Sequence, residues 1–125
     1  MRGIQKGENV NNPIMYRRPW GFYTNLEEQP DYKVKKLWIA PHQSISLQSH
    51  DYRTEDWTIV RGIGKLTLDD ITTLVTTGGI VHINQKQKHR VENIDQHPLV
   101  IIEVQRGTKL EETDIKRYDD KYGRI

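Results

Sequence analysis

The sequence has no cysteine in its 125 residues, so neither a disulfide framework nor a thiolate-bound metal is open to it. Any ion must be held by imidazole, carboxylate, amide or water. Phenylalanine occurs once, and hydrophobic residues make up 34% of the chain against 29% charged. Such a thin core suits a small β-sandwich or barrel better than a helical protein. No apolar run approaches the roughly 18 residues of a membrane span, and the opening MRGIQKGENVNNP lacks the apolar stretch of a secretory leader. The expected location is the cytoplasm, with no membrane partner. A strong field of one sign is missing too: the formal net charge of +2 argues against a nucleic-acid partner.

What is present is a succession of short β-rich runs separated by turn residues. Tyr32 to Ala40, Ser44 to His50, Glu55 to Val60, Lys65 to Leu68, Ile71 to Thr77, Ile80 to Ile83, His89 to Asn93 and Leu99 to Gln105 read as strands. Turn signals (Pro41-His42, Gly62 and Gly64, Asp69-Asp70, Gly78-Gly79, Asp95 to Pro98) separate them. This spacing indicates an all-β sandwich or barrel. LVIIEVQ, the most apolar run, is expected at its centre. Residues 1–16 read as a loosely held arm before a single domain over 17–125. Only the end looks helical: Thr113 can cap a short C-terminal helix, with Asp114 in its first turn and Lys116 and Arg117 near its last.

One stretch carries chemistry. Ser44 to His50 alternates, with Ile45 and Leu47 on one side and Ser46, Gln48 and His50 on the other. Glu55 follows at the start of a returning strand, where a turn brings its carboxylate back to the Gln48/His50 face. His89 is the natural fourth member. Gln48, His50, Glu55 and His89 are therefore the candidate ligands of one divalent metal ion. Buried histidines serve more often as hydrogen-bonded core residues than as ligands, and that alternative stands beside the metal site.

With the strands placed, the spacing resembles the two cupin signatures. In the first, His42 stands in the leading glycine slot, followed by Gln48-x-His50, Glu55 and Gly62. In the second, Gly78 leads, Asn84 and Lys86 take the Pro and Gly slots, and His89 and Asn93 follow. Glutamine in place of the first histidine resembles one branch, the type II mannose-6-phosphate isomerase cupin, a domain often fused behind a mannose-1-phosphate guanylyltransferase. RPWGFY, YKVKKLWIAP, SLQSH, RTEDW, HRVEN, IEVQRG and DIKRYDDKYGR occur in that family's order from about Arg17 to Arg124. The departures are Tyr52 and Asp56 where histidines are common, and Lys109 and Glu111 before the last element. No Gly-rich nucleotide loop is present, so nucleotidyl transfer is not expected of this chain.

The resemblance implies a cupin, that is, a double-stranded β-helix or jelly-roll barrel. It also implies an isomerase interconverting mannose 6-phosphate and fructose 6-phosphate for nucleotide-sugar and polysaccharide synthesis. The O/N donor set suits zinc first, with iron, manganese or nickel as alternatives. Arg90 and Glu103 are the catalytic candidates, Arg90 toward the phosphate and Glu103 as the base. Strand alternation points Arg90 away from the His89 face unless a bulge intervenes. Lys35, Arg18, Arg117 and Arg124 are the further cations for the sugar phosphate, and Trp20 is a candidate pocket wall. Each cation has the alternative of an ordinary surface or salt-bridging role. Cupin analogy adds a homodimer with the 1–16 arm as a swapped edge strand. The competing function is a sugar-phosphate-binding cupin without catalysis, favoured if Tyr52 blocks the pocket. A metal-bearing epimerase or oxygenase is a weaker third reading.

Overall fold

The computed structural model describes residues 14–125. Eleven strands follow in order: β1 (Met15–Arg18), β2 (Gly21–Glu28), β3 (Tyr32–Ile39), β4 (Leu47–Ser49), β5 (Arg53–Arg61), β6 (Ile63–Leu68), β7 (Ile71–Thr76), β8 (Ile80–Ile83), β9 (His89–Asn93), β10 (Leu99–Gly107) and β11 (Lys116–Asp119). They form two antiparallel sheets, ordered β1-β2-β3-β10-β5-β8 and β11-β4-β9-β6-β7. The core draws on both. Leu37, Trp57, Ile59 and Ile101 come from the first sheet, and Leu66 and Val91 from the second.

Alternation decides which side chains face inward. On β5, Arg53, Glu55, Trp57 and Ile59 are buried while their neighbours are not. On β10 a register shift between Val100 and Ile101 lets Leu99, Val100 and Ile101 all be buried, after which Glu103 and Gln105 continue the inward row. The same inward rows thus run from apolar residues at one end to charged ones at the other. Pairing places Lys35 opposite Glu103 and Glu103 opposite Trp57; Gln105 lies opposite Glu55. The polar end is where the site lies.

The all-β expectation holds, and the strands at 80–83 and 89–93 fall where the turn signals placed them. Two expectations change. The C-terminal helix does not form: residues 116–119 are β11, paired to β4. The Asp114 carboxylate, instead of serving a first helical turn, accepts the backbone N–H groups of Asp51 and Tyr52, each at 3.0 Å. A free sheet edge offered Lys116–Asp119 more hydrogen bonds than one isolated helical turn can. Of the 1–16 arm, residues 1–13 lie outside the described residues, while Met15 and Tyr16 belong to β1 and pair with Thr24 and Tyr23 of β2. No helix among the described residues is long and apolar enough to cross a membrane.

The glycine slots noted above are explained by backbone geometry. His42 has φ 63° and Lys86 has φ 66°, both in the left-handed region. The turns kept their shape although the glycines that suit it are absent. The Lys86 N–H donates to the His50 carbonyl at 2.7 Å, so this strained turn braces a site residue.

Candidate metal centre and its cavity

His50, just past the end of β4, Glu55 on β5 and His89 at the start of β9 converge, their ligand-capable atoms all within 4.8 Å of one another. His50 and His89 come from facing segments because β4 pairs β9 at Gln48 and His89. Glu55 reaches across from the other sheet. His50 Nε2 lies 3.3 Å from Glu55 Oε2 and His89 Nε2 lies 3.9 Å from Glu55 Oε1. The imidazole rings are 5.2 Å apart, centre to centre.

Each imidazole is oriented by a backbone carbonyl. His50 Nδ1 meets the Asp114 carbonyl at 2.6 Å and His89 Nδ1 meets the Gln87 carbonyl at 3.0 Å. A carbonyl only accepts, so both Nδ1 atoms carry the proton and both Nε2 lone pairs face Glu55. This tautomer locking is typical of metal-bound histidine. Burial holds His50 well below its ordinary range, at about 4, so the ring is neutral and able to coordinate. Burial alone would raise Glu55. The Arg53 guanidinium overcomes it and brings the carboxyl down to about 2, so the acid is ionised. The neutral His50 ring, the His89 Nε2 lone pair and the ionised Glu55 carboxylate together fit a divalent ion. Gln48 lines the same cavity, its amide nitrogen donating to the Ser46 carbonyl at 3.4 Å.

Glu55 is itself braced. Arg53 Nε donates to its Oε2 at 2.9 Å, and Trp57 Nε1 to its Oε1 at 3.0 Å. Arg53 Nη2 also lies 3.2 Å from His50 Nε2. The cavity around these groups is partly open to solvent, and its cations are Arg18, Lys35, Arg53, Arg117 and Arg124. Glu103 is buried on the same wall. Burial first, then the nearby Glu55 charge, raise it to about 7. Gln105 Nε2 donates to Glu103 Oε2 at 2.6 Å.

Trp20, Lys35, Arg18, Arg117, Arg124 and Glu103 therefore all reach the cavity. Arg124 is largely spent on Asp120, with Nε 2.8 Å from Oδ2 and Nη2 2.9 Å from Oδ1. Arg90 is the correction. The β9 pairing with β6 runs in register from His89 to Asn93 without a bulge. Alternation thus turns Arg90 to the outer face, where it binds Asp119 at 2.8 Å. Tyr52 is 48% exposed and is absent from the cavity lining. The sequence reading missed Arg53 and Gln105, although each sits two residues from a named candidate on the same strand face. It also missed Tyr23 and Glu112. Glu112 comes from an irregular segment, and no local pattern could have placed it.

A family model described as mannose-6-phosphate isomerase C-terminal matches residues 5–120. The chain belongs to that family. Among curated relatives of this mannose-6-phosphate isomerase C-terminal domain, an alginate biosynthesis protein AlgA of Pseudomonas aeruginosa is 40% identical over 119 residues, which cover 95% of this chain and 24% of the relative. A mannose-1-phosphate guanylyltransferase of Escherichia coli is 37% identical over 108 residues, covering 86% of this chain and 23% of the relative. The domain spans about a quarter of the length of such relatives. In fold it is similar to a Klebsiella pneumoniae protein with a double-stranded β-helix domain. The TM-score is 0.76 at 16% identity, covering 96% of this chain and 97% of that one. It is also similar to an oxalate decarboxylase of Lactobacillus farciminis, with TM-score 0.74 at 17% identity, covering 86% and 34%. The cupin architecture expected from the signatures is the fold of this domain.

Proposed function

We propose that the domain is a metal-dependent aldose–ketose isomerase that interconverts mannose 6-phosphate and fructose 6-phosphate for polysaccharide synthesis. One observation carries the reading: the His50/Glu55/His89 cluster, the buried acid Glu103 and a set of cations share one cavity. The names of the guanylyltransferase and alginate-synthesis relatives support the pathway side.

His50, Glu55, His89 and Gln48 would hold the ion, which when bound would supply Lewis acidity toward a carbonyl or hydroxyl oxygen of the open-chain sugar. Glu103 is the proton carrier: its carboxylate takes the proton from C2 and returns it to C1 of the enediolate, while the O2 proton passes to O1, so that the C1 carbonyl becomes a hydroxyl and the C2 hydroxyl a carbonyl. A carboxyl near 7 is matched to that work, because at neutral pH it both accepts and gives up a proton readily. Gln105 fixes one carboxyl oxygen and leaves the other for the substrate. Lys35, Arg18 and Arg117 receive the phosphate, and Trp20, only 7% exposed, walls the cavity.

A sugar-phosphate-binding cupin without catalysis is the second reading. Its support is Arg53 Nη2 at 3.2 Å from His50 Nε2, where the guanidinium competes for the lone pair that an ion needs. The test is conversion of mannose 6-phosphate to fructose 6-phosphate by protein stripped with chelator and reloaded with zinc. The isomerase reading expects turnover that chelation abolishes and zinc restores. Fully loaded protein that binds the sugar phosphate without turnover supports the second reading. The proposal includes a homodimer, expected at twice the 14.7 kDa chain mass by light scattering.

A further inference from the structure

Three carboxylates line the cavity, and they differ in kind. Glu55 and Glu103 are buried in β-strands, whereas the Glu112 side chain is 46% exposed and sits in the segment 108–115 joining β10 to β11. Glu112 makes an ion pair and hydrogen bond with Lys35, whose own side chain is 5% exposed. The Lys35 ammonium lies 4.0 Å from the centre of the Tyr23 ring. Burial works to raise the Glu112 acid, yet Lys35, then Arg53 and Lys33, hold it below the ordinary range. Arg117 feels the same carboxylate. The Glu112 carboxylate thus stands where cations from β3, β5 and β11 converge.

The segment carrying it is pinned on either side rather than along its length. Lys33 Nζ donates to the Leu110 carbonyl at 3.0 Å, and the Asp114 carboxylate holds the backbone N–H groups of Asp51 and Tyr52. Glu112 lies between these anchors in a turn. Lifting it off without replacement leaves a buried ammonium unpaired, which is costly. A neutral sugar supplies no replacement; a dianionic group supplies more charge than the carboxylate it displaces.

We propose that Glu112 is a built-in occupant of the anion subsite: it holds Lys35 until the phosphate of a ligand displaces it, so that only strongly anionic ligands release the 111–113 turn of the 108–115 strap. This rests on the reading of the cavity as a sugar-phosphate site, and makes Glu112 the residue that discriminates phosphorylated from neutral sugars. Because coupling between two occupants of one subsite is reciprocal, removing the carboxylate strengthens anion binding, and a bound anion loosens the strap.

The test uses the whole chain, inorganic phosphate as probe and mannose as neutral control. Calorimetric titration compares wild type, E112Q, E112D and K35M. E112Q is expected to bind phosphate about tenfold tighter than wild type, within the range typical of coupled sites. E112D stays close to wild type, and K35M binds at least about tenfold more weakly. In K35M/E112Q the gain from E112Q disappears. Trypsin provides a second readout at Lys109, whose side chain is 48% exposed: saturating phosphate accelerates cleavage there and mannose does not. Unchanged or weaker phosphate binding by E112Q, with K35M still impaired, overturns displacement and leaves the cationic subsite standing. So does Lys109 cleavage that ignores phosphate. Absence of phosphate binding in every variant overturns the displacement and the sugar-phosphate reading together.

Discussion

His50 shows how much a single side chain is asked to do. Its Nδ1 proton holds the Asp114 carbonyl, its own carbonyl receives the Lys86 N–H, and its Nε2 faces Glu55. His50→Ala is expected to remove a ligand while the β-sheets persist. Metal affinity falls by at least about 10–100-fold, a loss that even outer-shell partners can cause. Metal content and far-ultraviolet circular dichroism, measured on the same sample, check both halves. Glu103 makes a different prediction. Its folded value, about 7, lies above the ordinary 4.5, so the protonated form is favoured by folding. The stability it contributes is present below about pH 4.5 and is lost as pH rises through 7. Under the proposed isomerase reading, activity is expected to run the opposite way, rising through pH 7 as the Glu103 base ionises. Glu103→Gln should lower kcat by about 10²–10⁴ and flatten the fall in urea stability between pH 5 and 8. Activity that survives the substitution would remove Glu103 as the proton carrier.

At the scale of elements, the site depends on how closely β5 and β10 approach. A Cβ on Gly107 would stand 2.1 Å from the Tyr52 carbonyl oxygen and 2.9 Å from Arg53 Cα. Gly107→Ala must therefore push the strands apart where Arg53 begins the inward row, at a cost of about 1–3 kcal/mol, measurable by urea unfolding. His42 goes the other way. A left-handed φ costs an ordinary residue about 1–2 kcal/mol, part of which glycine returns as lost chain entropy. His42→Gly is expected to stabilise the domain by on the order of 0.5–1 kcal/mol, read by the same urea unfolding. These elements also show what a sequence discloses. The strands at 80–83 and 89–93 were legible because alternation and flanking turns agreed; of the strand expected over 44–50 only Leu47–Ser49 forms, yet His50, Glu55 and His89 still come together as a cluster. Residues 116–119 were not legible, since their structure is decided by a β4 edge far away in the chain. Arg90 was legible in principle, because alternation from His89 already placed it outside. Glu112 and Asp114 were not, because irregular backbone carries no period.

For the molecule as a whole, an ion bound only by the native state must stabilise that state by mass action. At a hundredfold excess over the dissociation constant the gain is about 2.7 kcal/mol, seen as a rise in melting temperature with added zinc. Glu55→Gln, which keeps the shape but removes the ionised donor, should lose most of that rise. The two-sheet frame gives this coupling its reach, since His89 belongs to one sheet, His50 follows directly on β4 of that sheet, and Glu55 belongs to the other. An ion at their meeting point would tie both sheets together. The most direct measurement is anomalous diffraction at the zinc edge from crystals of the zinc-loaded domain. The account predicts a strong peak bounded by His50 Nε2, His89 Nε2 and the Glu55 carboxylate, on the wall of the cavity that holds Glu103. A cluster without a peak, Arg53 still resting on His50, in crystals that show zinc elsewhere would contradict it.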